Sequence, residues 1–323
     1  MGFQKCGTTT LYEILRQHPG TVLCRDVKEP MYYRVPFLHI LGGRWYYRLR
    51  YFGHVKKGDP RLKGEVNAGL TFTRCAQRLR GKVSPDVKML FLMRDPVERS
   101  YSSYKYFLTR GFLPRDAVEY DAEHGHAAGF DHYVHSVLDD PHQRGQIMKK
   151  RLRYLVFSQS NYASCIQDYL RYFDVHNMKF IFFEEFVRNQ HAACREIYDF
   201  LGLPDAPAID YNVKANEDKE RPVSYRAARR VMIAKGMHYG FYEFLGMGHW
   251  APPLYGLVRK HYQRVRQKGI VDDLDRSRVL PQTREYLLDY FGPELRALEA
   301  LTGRDPGEVW NLRSSPRLGE AVS

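Results

Sequence analysis

The sequence predicts an α/β fold in which helices flank a central parallel sheet. Two short apolar runs, at residues 87–93 and 178–183, have the length and composition of buried strands. Predicted helices follow both runs, at residues 96–109 and 190–201. Strands that alternate with helices are typical of a parallel sheet that is covered on both faces.

Local signals support the individual helices. Asp95 can cap the helix after the first strand, Pro96 fits its first position, and Glu98 completes a pattern that resembles a capping box. Apolar residues at helical spacing predict two more helices, at residues 160–173 and 281–301.

Polar stretches separate these elements. Residues 111–150 contain several His, Asp and Gly residues, and they predict a surface insertion or a poorly ordered loop. Residues 212–230 are charged and predict another loop. We expect a single domain over residues 1–310, followed by a C-terminal tail at residues 311–323.

Composition limits the classes of partner. The chain has 323 residues and a formal net charge of +13, which favours an anionic partner such as a nucleotide, an acidic glycan, a nucleic acid or a lipid headgroup. Its five cysteines form no CxxC pair, so a zinc site is not expected. An apolar run of about 18 residues, which a bilayer-spanning helix needs, is not found in the sequence.

A glycine-rich segment at the start of the chain predicts an anion site. We call it the phosphate loop, and it comprises Gly2, Phe3, Gln4, Lys5, Cys6, Gly7, Thr8, Thr9 and Thr10. Gly2 and Gly7 have the spacing of a Walker A loop, but Thr8 stands where Walker A has lysine, and the lysine lies earlier, at Lys5. Close backbone approach, the start of a helix, hydroxyl donors and a cation all favour a bound phosphate.

The position of this loop carries an expectation about the N-terminus. Such a loop normally follows a buried strand. We therefore expect that the first strand is truncated, and that any anchoring or targeting segment is missing from this chain.

The segment from Lys5 to Leu11 resembles the 5'-phosphosulfate loop of sulfotransferases that use 3'-phosphoadenylyl sulfate (PAPS). Its KCGTT form is similar to the Golgi carbohydrate sulfotransferases that act on heparan and chondroitin sulfate, and most closely to the N-acetylgalactosamine 4-sulfate 6-O-sulfotransferases. Arg94 and Ser102 match the spacing of the family's 3'-phosphate motif, an arginine at the end of a strand and a serine eight residues later. The resemblance therefore implies a single P-loop-like α/β domain.

The resemblance also implies which residues bind the donor. PAPS would be the donor and adenosine 3',5'-bisphosphate the product, and no metal is expected. The implied donor-binding residues are Lys5, Cys6, Gly7, Thr8, Thr9, Thr10, Arg94 and Ser102.

Lys28-Glu29-Pro30 resembles a second family segment, in which the glutamate is the proposed catalytic base. Many members have histidine after the proline, where this chain has Met31. The resemblance implies that Glu29 accepts the proton of the acceptor hydroxyl. Lys5 would stabilise the charge that develops on the leaving phosphate.

Other residues are candidates for the base or for acceptor contacts. His18 and His39 are alternative bases. Asn67 lies in a segment that resembles another family landmark. The candidate acceptor contacts are Lys28, Arg34 and Asn67, and the neighbouring Arg44, Arg48 and Arg50 also suit an acidic polymer.

These features predict transfer of a sulfuryl group to a hydroxyl of a carbohydrate, either a glycosaminoglycan or another acidic glycan. The resemblance implies the Golgi lumen as location, in a type II membrane protein. Within this chain we expect contact with neither a membrane nor a nucleic acid. Two alternatives remain open: a P-loop nucleotide kinase or NTPase, and a polyanion-binding protein without catalytic activity.

Overall fold

We describe the fold from a computed structural model. It describes residues 2–25, 27–30, 32–33, 43–71, 75–147, 154–206, 208–213, 220–222, 224–239, 252–272 and 277–312. Met31, Arg34 and His39 lie outside these residues. The predictions that Arg34 contacts the acceptor and that His39 is an alternative base therefore also lie outside the described residues.

The chain divides into two compact units. The first comprises Met1–Arg99, Gln159–Asn216 and Leu288–Ser323, and the second comprises Ser100–Ser158 and Glu217–Leu287. The predicted domain limits at residues 1–310 stay a prediction.

Helices and short strands alternate in the N-terminal part of the first unit. The elements there are α1 (Thr8–Gln17), β1 (Thr21–Leu23), α2 (Gly43–Phe52), β2 (Leu62–Gly64), α3 (Cys75–Leu79) and β3 (Met89–Met93). β1 and β2 pair in parallel, with Thr21 opposite Leu62. Helix α4 (Pro96–Thr109) follows β3 directly, and its range agrees with the predicted helix.

Strand β3 is paired on both of its edges. It pairs in parallel with β4 (Met178–Phe182), with Met89 opposite Met178. Gly2 forms a parallel bridge with Leu92 on the other edge. All five residues of β3 are buried, which explains why its sequence is a continuous apolar run rather than an alternating one. The predicted strands are confirmed, and among the described residues β3 and β4 form one two-stranded parallel sheet and β1 and β2 form another.

Most of residues 115–147 are helical, so the poorly ordered loop predicted as one alternative for residues 111–150 is wrong, and the surface insertion stays a prediction. The second unit has α5 (Arg115–His124), α6 (His126–Leu138), α7 (Pro141–Ile147) and α8 (Leu155–Ser158). Tyr104 and His126 both hydrogen-bond to the buried Asp121. On α6, Phe130 and Val134 are fully buried one helical turn apart. The polar composition of this stretch concealed an apolar helical face.

The first unit resumes with α9 (Tyr162–Leu170), and α10 (Phe183–Arg188) and α11 (Gln190–Leu201) follow β4. α11 begins after Asn189, whose side chain accepts from the Ala192 amide, and it ends at Gly202 in the left-handed conformation. Both ends of α11 agree with the prediction, because both are set by local capping chemistry.

Two helices and two strands follow in the second unit. They are β5 (Glu220–Pro222), α12 (Tyr225–Tyr239), α13 (Pro252–Gly269) and β6 (Ile270–Asp272). β5 and β6 pair antiparallel. The loop predicted for residues 212–230 is therefore wrong from residue 220 onwards.

Two helices complete the described chain, α14 (Pro281–Thr302) and the short α15 (Pro306–Val309). α14 agrees with the helix predicted at residues 281–301. In the described part of the chain, no helix combines the length and the apolar character that a bilayer crossing requires.

Candidate functional site

The phosphate loop starts from the edge of β3. The Phe3 amide donates to the Leu92 carbonyl over 3.0 Å. The Phe3 ring is buried and packs edge-on against Tyr162, with 4.5 Å between the ring centroids. The start of the loop is therefore fixed to the sheet and to α9.

Two residues of the loop have left-handed backbone. Gly7 has φ +81° and lies directly before α1, where its carbonyl accepts from the Leu11 amide. A Cβ atom on Gly7 would lie 2.7 Å from the Phe183 ring, so position 7 requires glycine for both its backbone and its contacts. Lys5 has φ +70° without being glycine, a conformation that is uncommon and is often found at functional sites.

The start of α1 offers backbone donors to an anion. The first amides of a helix have no intrahelical partner, and the helix dipole is positive at this end. No side chain caps α1 within the described part of the chain. The loop therefore has the geometry of a helix N-terminal phosphate site.

Lys28 folds back onto this helix start. Its ammonium donates to Thr8 Oγ1 and to Thr9 Oγ1, both over 2.9 Å, and it lies 3.2 Å from Glu29 Oε1. A cation at the positive end of a helix dipole is unfavourable by itself, so this arrangement is well suited to an anion bound between them. Lys28, which was predicted as an acceptor contact, thus lies at the predicted donor site.

Arg94 lies at the end of β3 and approaches the same loop. Its Nη1 donates to the Lys5 carbonyl over 3.5 Å, and its guanidinium lies 5.0 Å from the centroid of the Phe183 ring. The Tyr162 hydroxyl donates to the Arg94 carbonyl over 2.7 Å. The structure therefore brings Arg94 and the phosphate loop together, as the sequence predicted.

Ser102, the second residue of the predicted 3'-phosphate motif, lies on α4 and is half-buried. It belongs to the second unit, whereas Arg94 belongs to the first. Its part in donor binding stays a prediction.

Cys6 is fully buried beneath the loop. Its sulfur lies 4.0 Å from the Tyr162 hydroxyl. Burial raises the pKa of the Cys6 thiol to about 12, so the side chain stays protonated and unreactive near neutral pH. Only the backbone of Cys6 remains suited to anion binding.

The segment that carries Glu29 is held by Asn67. The Asn67 amide donates to the Pro30 carbonyl over 2.7 Å and to Glu65 Oε1 over 3.1 Å. Its carbonyl oxygen accepts from the Gly69 amide over 2.9 Å. Because Asn67 is fully buried, a direct substrate contact does not fit the structure, and a positioning role does.

The alternative base His18 is a structural residue. It is buried, its Nε2 lies 2.9 Å from the Pro204 carbonyl, and its Nδ1 accepts from the Gly20 amide. With both ring nitrogens engaged, His18 has no capacity left for substrate. Glu29 is partly exposed beside the loop and is the better candidate for the base.

The chain matches the family model of the sulfotransferase domain over residues 1–250. It belongs to this family.

Relatives of this chain include heparan sulfate glucosamine 3-O-sulfotransferases. The 3B1 protein of Mus musculus is 27% identical over 212 residues, which are 63% of this chain and 45% of that protein. The 3B1 protein of Homo sapiens is 25% identical over 207 residues, with the same coverage of 63% and 45%. The chain thus matches less than half the length of these relatives.

A solved structure supports the fold of this chain. The crystal structure of the sulfotransferase from Alicyclobacillus acidocaldarius aligns with a TM-score of 0.58 and 20% identity, and the alignment covers 96% of each chain. A likeness at this identity establishes the α/β fold.

Two residues of this chain support the site, although the sequence did not predict them. Glu184 accepts from the Asp95 amide over 3.1 Å and from the Trp310 indole over 2.8 Å, and burial raises the pKa of its carboxyl. Arg99 is fully buried, and its Nε donates to Ser160 Oγ over 2.6 Å. Both residues hold the turn that presents Arg94, but a charged residue in a helix gives no sequence signal that it is buried.

Proposed function

We propose that this chain transfers a sulfuryl group from PAPS to a hydroxyl of a carbohydrate, specifically of a glycosaminoglycan or another acidic glycan. The observation that carries the proposal is the convergence of Lys28 and Arg94 on the phosphate loop, in a chain that belongs to the sulfotransferase family.

The donor site fits a phosphosulfate group. The loop supplies backbone donors at the start of α1 and the hydroxyls of Thr8 and Thr9, and Lys28 adds an ammonium within hydrogen-bond distance of both hydroxyls. Arg94 would bind the 3'-phosphate, with Ser102 as its partner by motif spacing alone.

The proposed chemistry divides the work between two charged side chains. When PAPS is bound, it supplies an activated sulfuryl group. The bond between its sulfur and the phosphate oxygen breaks, and the acceptor oxygen bonds to the sulfur. Glu29 accepts the acceptor's proton, and Lys5 stabilises the negative charge on the departing phosphate oxygen. Asn67 keeps the Glu29 segment in place through the Pro30 carbonyl.

A cavity in the first unit suits an acidic sugar as acceptor. Its volume is about 710 Å³, and its walls combine aromatic rings with cationic side chains. Rings can pack against sugar faces, and cations can pair with sulfate or carboxylate groups. Tyr32 and Tyr33, which follow Glu29 closely in sequence, form part of the wall. The other aromatic and cationic residues of the wall are Arg44, Tyr47, Arg48, Phe52, Lys56, Lys57, Lys63, Lys82 and Lys88.

The similarity to heparan sulfate enzymes also supports a glycosaminoglycan acceptor. We propose the Golgi lumen as location on the same ground of family resemblance.

The test is transfer of labelled sulfate from PAPS to a panel of glycans that includes heparan sulfate, chondroitin sulfate and a neutral polysaccharide. We expect transfer to an acidic glycan, and we expect Lys5→Ala and Glu29→Gln each to abolish it because each removes a group that acts on the reacting atoms. Arg16→Ala and Glu13→Gln, on the distal part of α1, are the matched controls and should leave activity unchanged.

Other outcomes of this test would contradict the proposal. Full activity of Lys5→Ala would exclude the mechanism. Magnesium-dependent hydrolysis of ATP without sulfate transfer would favour a P-loop NTPase. Glycan binding without transfer to any acceptor would favour a polyanion-binding protein.

A further inference from the structure

Helices α12 and α13 form an antiparallel helical hairpin within the second unit. The end of α12 lies beside the start of α13, because the Tyr255 hydroxyl and His238 Nε2 are 2.7 Å apart. The His238 ring also lies against the rings of Tyr255 and Tyr262. At the opposite end of the hairpin, β5 and β6 pair antiparallel. The two ends of the hairpin are therefore well defined.

The hairpin is strongly basic. Helix α12 carries four arginine or lysine residues and α13 carries five, and neither helix contains an aspartate or glutamate. Five exposed cations from both helices lie towards the strand end, and we call this group the basic collar: Arg226, Arg229, Arg230, Arg264 and Lys268. Two further exposed cations, Arg259 and Lys260, lie in the middle of α13. Nothing in the sequence of either helix offsets this charge.

Exposed apolar side chains lie in the half of the hairpin that is farther from the strands. Ile233 and Met237 on α12 are 55% and 48% exposed, and Leu254 and Leu257 on α13 are 50% and 64% exposed. We call these four residues the apolar tip. Among the other described residues, only Trp45 and Leu49 on α2 are large apolar side chains with comparable exposure, at 73% and 57%. The hairpin has four such residues in one half of its length, and a partner that covers them would explain this grouping.

We propose that the helical hairpin docks on the surface of an anionic lipid bilayer, with the apolar tip in the headgroup and acyl boundary and the basic collar at the lipid headgroups. Charge complementarity requires an anionic partner. A glycan or a nucleic acid would pair with the collar but leave the four apolar side chains in water. A bilayer surface accommodates both groups, as it does for basic amphipathic helices that lie in the interface.

This proposal differs from the expectation from sequence that the chain makes no membrane contact, which stays untested. It concerns attachment to a surface, and it is independent of the proposed sulfuryl transfer because it uses no residue of the phosphate loop or of the Glu29 segment.

The test is co-sedimentation of the full chain with vesicles. One set contains phosphatidylcholine alone, and the other contains about 30% phosphatidylserine. We expect binding to the anionic vesicles only. Leu254→Gln with Leu257→Gln should weaken this binding about tenfold or more, because it removes the apolar contacts. Arg226→Gln, Arg229→Gln and Arg230→Gln together should weaken it as well, and added salt should lower binding of the unchanged protein.

Matched controls separate the hairpin from general surface effects. Val175→Gln with Val187→Gln removes exposed apolar residues of the first unit. Arg16→Gln, Arg171→Gln and Arg195→Gln remove the same charge from exposed positions there. Neither set should change vesicle binding, and thermal unfolding of every variant checks that the fold is kept.

A spin label provides a second measurement. The native cysteines are all buried, so Leu257→Cys adds one exposed thiol that can be labelled. With anionic vesicles, the label should become more accessible to oxygen and less accessible to a water-soluble relaxation agent. Vesicle binding by the leucine variant that equals that of the unchanged protein would overturn the proposal. So would binding to heparin without binding to anionic vesicles, since that result would assign the face to a polyanion.

Discussion

The most informative single residue is Lys28. Its neighbour in sequence is the candidate base, which favoured an acceptor contact, but its ammonium reaches Thr8 and Thr9 on the phosphate loop. Twenty residues separate Lys28 from Thr8, and only the path of β1 back to the loop brings them together. Because of this contact, we expect Lys28 to affect the affinity for the donor more than the KM of the acceptor.

We predict that Lys28→Met weakens donor binding more than acceptor binding. Loss of a charge-assisted contact to an anion costs about 1.5–3 kcal/mol, which is roughly a 10- to 150-fold rise in the dissociation constant of adenosine 3',5'-bisphosphate. Calorimetric titration measures this constant, and steady-state kinetics gives the acceptor KM.

Lys57→Met is the contrast to this variant, since Lys57 lines the cavity proposed for the acceptor. It should raise the acceptor KM and leave donor binding unchanged. A Lys28→Met variant with unchanged donor affinity and a raised acceptor KM would restore the role that the sequence suggested.

At the scale of elements, the junction between the phosphate loop and α1 is the most constrained. Gly7 combines left-handed backbone with close packing against Phe183 at the start of α10. The sequence predicts the loop from glycine spacing, and it predicts the start of a helix at the same place. It gives no indication that an aromatic ring from α10 lies against Gly7, because the two residues are far apart in the chain.

We predict that Gly7→Ala destabilises the protein and abolishes donor binding. Left-handed backbone costs a residue with a Cβ atom roughly 1–2 kcal/mol, and displacement of Phe183 adds to this cost. Gly202→Ala is the control, because Gly202 has φ +68° but its added Cβ would meet nothing within 4 Å. In this control, the free energy of unfolding should fall only by the cost of left-handed backbone, as measured by denaturant titration.

A second substitution tests how much of the lost stability comes from displacement of Phe183. Phe183→Ala in the Gly7→Ala background should recover part of the lost stability, since it removes the ring that the new Cβ meets. If Gly7→Ala and Gly202→Ala lower the free energy of unfolding by the same amount, the contact between position 7 and Phe183 adds nothing to the cost of Gly7→Ala.

At the scale of the whole molecule, charge is the property with the widest effect. The formal net charge is +13, and cations line both the cavity and the helical hairpin. A basic surface accelerates encounters with polyanions, and salt screens this effect over a Debye length of about 10 Å at 0.1 M.

We therefore predict that kcat/KM for an acidic glycan falls steeply as ionic strength rises. The rate with a short neutral saccharide acceptor should change little over the same range, because it experiences no long-range attraction. Initial rates at saturating PAPS measure both. Parallel salt dependence for the two acceptors would show that salt acts on donor binding or on the chemical step instead.

The sequence by itself determined the elements and motifs whose causes are local. Strand β3 follows from its apolar run, α11 from its caps, and the start of α4 from Asp95, whose carboxylate accepts from the Val97 and Glu98 amides as predicted. The phosphate loop and Arg94 follow from glycine spacing and motif order. Each depends on residues only a few positions apart.

Only the tertiary structure decided which of these residues meet and which are buried. It turned Lys28 towards the loop, buried Asn67 and Cys6, and folded residues 115–147 into helices around Phe130 and Val134. It also left the apolar tip of the hairpin exposed, although the same residue types are core elsewhere. Burial depends on packing between segments that are distant in the chain, and neither composition nor local spacing contains that information.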